Sequence, residues 1–260
     1  MLTVTYTLNA LLMIGLPIAL GVFVTRRFKT PWSLWLWGAL AFIVSQGIRL
    51  PLLYGLTALL QGRDLMSREA AAVFNIVFLS LTAGLFEESA RWLGYRFVIR
   101  GARRWEQAVT YGAGHGGIEA IIFGGLAGLT VVNMVVLRTM DLSALPLPAA
   151  QQAQTAAAVA AFWAAPWYET VLGAVERVFA LTLHVTLSVM VLQCFVRRNW
   201  LWLVAAIVWH GLANIVGVGL AQSVGPLAAE GGLAVVAMIS VAILFALRRT
   251  PAAPVVEAVA

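Results

Sequence analysis

Seven stretches of this chain are long and apolar enough to cross a bilayer, and nothing else in the sequence restricts the fold so strongly. A hydrocarbon core of about 30 Å takes roughly 20 apolar residues of helix. In lipid every backbone N–H and C=O must be paired internally, so only helices and closed barrels span it. The stretches fall at about 3–25, 32–60, 70–95, 106–137, 170–196, 200–220 and 227–247. The expectation is an all-α polytopic membrane protein, a single bundle of about seven transmembrane helices over 1–250. Composition agrees: 62% of the 260 residues are hydrophobic and 11% are charged, against roughly 25% charged in soluble domains.

The connection 138–169 is the longest. It holds Leu145-Pro146-Leu147-Pro148 and then an Ala/Gln-rich run. An interfacial helix is expected there on the extracytoplasmic side, with an eighth span as the alternative. Residues 251–260 read as a flexible tail. The first apolar run has no basic leader and no small-residue cleavage site, so it is expected to be an uncleaved span.

A net charge of +6 could suggest nucleic acid, but the positions of the basic residues say otherwise. Arg26, Arg27 and Lys29 follow the first span, and Arg96, Arg100, Arg103 and Arg104 the third. Arg197 and Arg198 follow the fifth, and Arg248 and Arg249 the seventh. Eleven therefore lie on one side, against Arg63, Arg68 and Arg138 on the other. The positive-inside rule puts the N-terminus outside and the C-terminus in the cytoplasm. An extra span at 150–165 would break this alternation. Membrane lipids are the expected surroundings and no nucleic-acid partner is expected. The single Cys194 excludes an internal disulfide and a Cys-rich metal site.

Arg49, Arg91, Arg177, Glu87, Glu88, Glu119, Glu176, His115, His184 and His210 lie within spans. Each costs about 2.5–3.5 kcal/mol on insertion scales, so most must face the bundle interior and pair. His115 and Glu119 are four residues apart, as are His210 and Asn214, so each pair shares a helical face. Glu87–Arg91 and Glu88–Arg91 are spaced for ion pairs. At about 1.5 Å per residue, Glu88 lies about 12 Å from the basic end of its span. His115, His210 and His184 lie at about 14, 16 and 20 Å. Four helices, two running each way, thus bring their polar groups to one slab in the cytoplasmic half. A lone histidine would most simply be a hydrogen-bonded structural residue; three at one depth with carboxylates point to a site. Arg177 with Glu176 reads as structural, and Arg49 as snorkelling or paired with an unidentified carboxylate. Trp32, Trp35, Trp37, Trp163, Trp167, Trp200 and Trp202 read as an interfacial belt. The glycines around His115 fit either close helix packing or exposed backbone at a site.

Imidazole and carboxylate suit zinc or a similar divalent metal. They also suit direct activation of water by a general base, with Asn and His as oxyanion donors.

Glu87-Glu88-Ser-Ala-Arg91, Tyr111-x-x-x-His115 and His210-x-x-x-Asn214 carry a resemblance. With Gly114-His-Gly-Gly-Ile-Glu119 and Glu176-Arg…His184, over about 70–220, the chain resembles the YhfC-type intramembrane metalloproteases. These are related to the CPBP group of CAAX-prenyl endopeptidases and bacteriocin-processing proteases. Relative to CPBP the Arg comes one residue early and Tyr111 replaces Phe. The resemblance implies a multi-pass protein of the bacterial plasma membrane that hydrolyses a peptide or lipid-modified peptide substrate. The substrate is expected to enter from the membrane or the cytoplasmic side. It implies Glu87 or Glu88 as base, His115 as holder of water, and His210 with Asn214 at the oxyanion; Glu119 joins the catalytic set. A divalent metal, zinc if any, would be held among His115, His184, His210 and Glu88, and metal-free water activation stays open. The same cluster could instead relay protons or metal ions in a transporter. A haem carrier would need facing His pairs, and a pure scaffold would not repay the buried charges.

Overall fold

The computed structural model describes residues 1–60, 67–142, 146 and 148–249. The expected tail 251–260 and Arg63 lie outside the described residues. Among the described residues eight α-helices follow in order: α1 Leu2–Phe28, α2 Trp32–Leu60, α3 Arg68–Leu93, α4 Trp105–Thr139, α5 Ala149–Ala164, α6 Leu172–Val196, α7 Leu201–Ser223 and α8 Pro226–Ala246. All except α5 are long and apolar enough to cross a membrane, and the α3 span continues to Val98. The bundle is all-helical with seven candidate spans, as the apolar stretches predict.

Local signals set the helix ends. Lys29 adopts the left-handed conformation and its N–H returns to the Thr25 carbonyl, closing α1. The Ser67 hydroxyl accepts from the Ala70 N–H at the start of α3. At the start of α4 the Gln107 side chain accepts from the N–H groups of both Arg103 and Arg104, at 3.0 Å each. α3 ends in a π-helical turn, Gly94–Val98. The Tyr111 hydroxyl occupies the space where a Cβ at Gly94 would stand, so only glycine allows this approach.

Sixteen residues make α5 about 24 Å long. Its C-terminal turn docks beside the start of α1 and the end of α4. Tyr6 donates to the Phe162 carbonyl at 2.9 Å and their rings stack 4.1 Å apart. Trp163 donates to the Met134 carbonyl at 3.3 Å.

α4 and α6 form the centre. Residues 108–117 of α4 and 184–194 of α6 are buried without interruption. A helix buried all round carries no amphipathic stripe, so its neighbours cannot be read from periodicity. Between helices in lipid, close van der Waals packing does the work that burial from water does elsewhere. Glycines supply it. A Cβ at Gly114 would overlap the Trp35 carbonyl of α2, and one at Gly112 would sit 2.7 Å from Val185 Cα of α6. One at Gly124 would sit 2.8 Å from Ile14 of α1. Trp35 is therefore in the core rather than in the interfacial belt: it is 8% exposed, because Gly21 and Gly117 leave room for its indole and Gly114 for its backbone. Trp32, Trp37, Trp167 and Trp200 are exposed, as a belt requires. α3 and α7 pack together, with Gly84 against Ile207 and Gly211 against Leu81.

The solid part of the core lies toward the end that carries Arg26, Arg96, Arg103, Arg197 and Arg248. Tyr95, Tyr111, Leu187, Val189 and Val191 are at most 1% exposed there. The opposite half is looser between α2, α3, α4 and α7, and the polar-lined cavities lie in that half; an apolar pocket of about 400 Å³ between α2 and the end of α3 lies toward the basic end.

Candidate active site

α3, α4, α6 and α7 bring Glu87, Glu88, His115, Glu119, His184 and His210 into one connected cluster, with Arg91 and Arg177 set among them. Glu87 and His210 face inward because the opposite face of each helix is apolar and exposed, with Leu85 beside Glu87 and Leu212 beside His210; His115 and His184 lie on stretches buried all round. Glu88, Arg91 and His115 are 0% exposed, and His184 and His210 3%.

The hydrogen bonds order the cluster. Arg91 Nη1 donates to both oxygens of Glu88 at 2.8 Å. Its Nη2 lies 2.6 Å from His184 Nδ1. A guanidinium has only donors, so His184 Nδ1 accepts, and a neutral His184 carries its proton on Nε2. That nitrogen meets Glu119 Oε2 at 2.5 Å. Arg177 Nη1 holds the other oxygen of Glu119 at 2.8 Å and also pairs with Glu176. Glu88 Oε1 meets His210 Nδ1 at 2.8 Å. With Glu88 fixed by Arg91, His210 Nδ1 donates and its Nε2 presents a lone pair. Nε2 faces Glu87 Oε2 at 4.0 Å. His115 Nε2 meets the same Glu87 oxygen at 3.1 Å. The imidazoles stand close, 5.3 Å between His115 and His184 and 5.4 Å between His184 and His210.

Glu87 and Glu88 therefore differ. Both oxygens of Glu88 are committed to Arg91 and His210 behind the cluster. Glu87 lines an open cavity and is the carboxylate on which two imidazoles converge. Arg91 pairs with Glu88, three residues away, and not with Glu87, four away.

Ligand atoms of Glu87, His115 and His184 all lie within 4.8 Å of one another. This set of one carboxylate and imidazoles suits a borderline divalent cation. His115 Nδ1 is buried with no hydrogen-bond partner, a vacant donor position beside the cluster. His210 is held from behind by a carboxylate, the arrangement that orients metal-ligating histidines. The residues fit a metal, and Glu87 holds the place in the ligand group that the resemblance gave to Glu88.

Two spaces meet at the cluster. An inner one of about 100 Å³ is lined by Glu87, Glu119, His184, His210 and Asn214 among others, room for roughly three waters. An outer cavity of about 560 Å³ is lined by Glu87, Glu119, Asn214, Gln46, Arg49 and Asn75 among others. It follows α3 from Glu87 back to Ala72, about 22 Å, away from the basic end. Asn214 lines both.

Three residues outside the sequence constellation belong here. Gln46 of α2 donates to Glu87 Oε1 at 2.9 Å and accepts from Arg49 at 3.2 Å. The signal was present, a polar pair three residues apart in an apolar span. Phe42 packs edge-on against His115 with centroids 5.4 Å apart; an aromatic in an apolar span gives no signal. Glu230 of α8 lines a side space of about 370 Å³ with Glu169, Glu176 and Asn214, and its position near a span end made it inconspicuous.

The family described as YhfC intramembrane metalloprotease matches residues 12–243. The uncharacterized membrane protein YhfC of Bacillus subtilis (strain 168) is 29% identical over 212 residues, which cover 77% of this chain and 78% of that protein. No solved structure matches.

Proposed function

The chain belongs to the YhfC intramembrane metalloprotease family, and from that premise we propose that it is a multi-pass peptidase of the bacterial plasma membrane. It hydrolyses a peptide bond of a hydrophobic or membrane-associated peptide. One observation carries the reading: Glu87 Oε2, approached by His115 Nε2 at 3.1 Å and His210 Nε2 at 4.0 Å, stands at the head of an open cavity.

Glu87 is the general base, because it alone of the paired glutamates faces the cavity. It takes a proton from a water held beside His115 and later delivers one to the leaving amine. Glu88, fixed by Arg91, holds His210 in the tautomer whose Nε2 faces the reacting space. Asn214, at the junction of the two spaces, supplies an N–H donor to the oxyanion of the attacked carbonyl. Arg177 and Glu119 lock the ring of His184. A divalent metal, zinc being the natural candidate, would be held by His115 and Glu87, and by His184 once that ring exchanged its contact with Arg91 or Glu119 for the metal; it would supply Lewis acidity toward water and carbonyl. The positive-inside rule places the cavity mouth on the extracytoplasmic face. Tyr95, Tyr111, Leu187, Val189 and Val191 fill the cytoplasmic side of the cluster. A dead-end cavity suits an enzyme better than a carrier, whose cargo must leave on the far side.

The test is purified protein in nanodiscs with a library of fluorogenic hydrophobic peptides. Wild type should cleave, and Glu87→Gln should lower kcat by about 10²–10⁴-fold, the range for loss of a general base. Zinc at a hundredfold excess over its Kd should stabilise wild type by about 2.7 kcal/mol, and His115→Ala should lose that gain. Full cleavage by both variants would overturn the assignment.

A further inference from the structure

Arg49, Arg91 and Arg177 lie well inside the membrane-spanning helices, more than a turn from either cluster of basic residues at the helix ends, and their surroundings differ. Arg91 and Arg177 each meet a carboxylate at 2.8 Å. Arg49 meets none within 4.0 Å among the described residues. Its partners are neutral: Nε donates to Thr82 Oγ1 at 3.4 Å, Nη1 to Gln46 Oε1 at 3.2 Å and Nη2 to the Leu79 carbonyl at 2.8 Å. A guanidinium has five N–H donors. Three are used, leaving one on Nη1 and one on Nη2. Those two belong to the fork that matches a carboxylate in bidentate fashion. Arg49 also lines the 560 Å³ cavity that leads to Glu87. A half-buried cation with neutral partners and two spare donors, beside an open cavity, is suited to an anion that arrives from outside.

We infer that Arg49 is a binding subsite for a carboxylate of the substrate, either a peptide's free C-terminus or an acidic side chain near it. The identification of the ligand as a peptide rests on the peptidase reading. The geometry also sets the register. Arg49 and Glu87 are joined through the side-chain amide of Gln46, two hydrogen bonds of 3.2 and 2.9 Å and the width of one amide. The span is therefore roughly 8 Å at most. An extended chain advances about 3.3–3.6 Å per residue, so the carboxylate sits about two residues from the scissile bond. The rival account is that Arg49 only balances the charge of Glu87 through Gln46, which predicts no ligand preference.

The experiment is peptide binding to the full chain bearing Glu87→Gln, so that nothing is consumed. Three fluorescent ten-residue apolar peptides are compared: one with a free C-terminal acid, one with a C-terminal amide, and one amidated with Glu as its penultimate residue. The free acid is expected to bind at least about tenfold tighter than the amide, the scale of one charge-assisted contact. Arg49→Gln should erase that preference, and Arg49→Lys should keep part of it, charge without fork. If the Glu-bearing amide binds like the free acid, either carboxylate serves; if it binds like the plain amide, the C-terminus is the source; if it alone binds tightly, the side chain is. Equal binding of all three peptides, no binding of any, or a preference that survives Arg49→Gln would overturn the inference. Where Arg49→Gln does not fold, Arg49→Lys decides, and an undiminished preference there counts against the fork. Cleavage of the same peptides by wild type is scored separately. Acid preference without cleavage would sink the peptidase reading and leave the subsite standing.

Discussion

Arg91→Met tests the physical core of the site. Arg91 is 0% exposed and donates to both oxygens of a Glu88 that is also 0% exposed. Met keeps the apolar stem but removes the charge and every donor. Glu88 then has only His210 Nδ1, and His184 Nδ1 loses its partner. Breaking a buried ion pair by removing one member costs about 3–5 kcal/mol, because a charge is left uncompensated. That is a large share of a total stability of about 5–15 kcal/mol. Replacing both members should cost less, since no charge is stranded. Glu88→Gln with Arg91→Met is expected to recover about 2 kcal/mol or more of the single loss, which appears as a coupling energy in a double-mutant cycle. Unfolding by SDS in mixed micelles, followed by the fluorescence of the ten tryptophans, supplies the four stabilities. An Arg91→Met protein within 1 kcal/mol of wild type, or a coupling near zero, would refute the pairing.

Gln46→Leu removes the amide that steadies Glu87 and should lower kcat about ten- to a hundredfold, with little change in melting temperature; an unchanged rate would show that Gln46 has no positioning role. Gly114→Val drives side-chain carbon into the Trp35 carbonyl, which no rotamer relieves. It should destabilise by about 3 kcal/mol or more, whereas Gly125→Ala, with nothing within 4 Å of its Cβ, should be neutral by thermal melt. Equal effects of the two substitutions would count against the α2–α4 contact.

What could be read before folding was depth. Span positions and the slab that holds His115, His184 and His210 follow from counting residues along helices, and the structure joins those residues in one network. Azimuth was not legible. α4 and α6 are apolar all round, so nothing in their periodicity says which neighbour each face meets. Hence Trp35, which belongs to a belt by its position near a helix start, turns inward where three glycines make room. Choosing between Glu87 and Glu88 required the same missing information, since adjacent residues differ by about 100° around the helix and only one faces the cavity. Arg49 and Gln46 were visible as polar residues but had no partners until α2 and α3 were placed side by side. Entry from the membrane or the cytoplasmic side was the expectation, yet the outer cavity leads from Glu87 away from the basic end, because its direction is a property of what the helices leave unfilled.

The glycines of α4 have a mechanical consequence. Gly114 seats this helix on α2, Gly112 and Gly116 on α6, and Gly117 and Gly124 near α1. Contact on three sides leaves it no freedom to roll or slide, so His115 is mounted on the stationary part of the molecule. Any breathing needed to admit a chain must then be supplied by the elements around the cavity that lack such seating. α2 beyond the cluster, where Gly47 and Gly55 meet nothing within 4 Å, and the N-terminal half of α3 are the candidates. The protein divides into a fixed anvil that carries the histidine and a more compliant wall that carries Arg49 and Asn75 along the cavity.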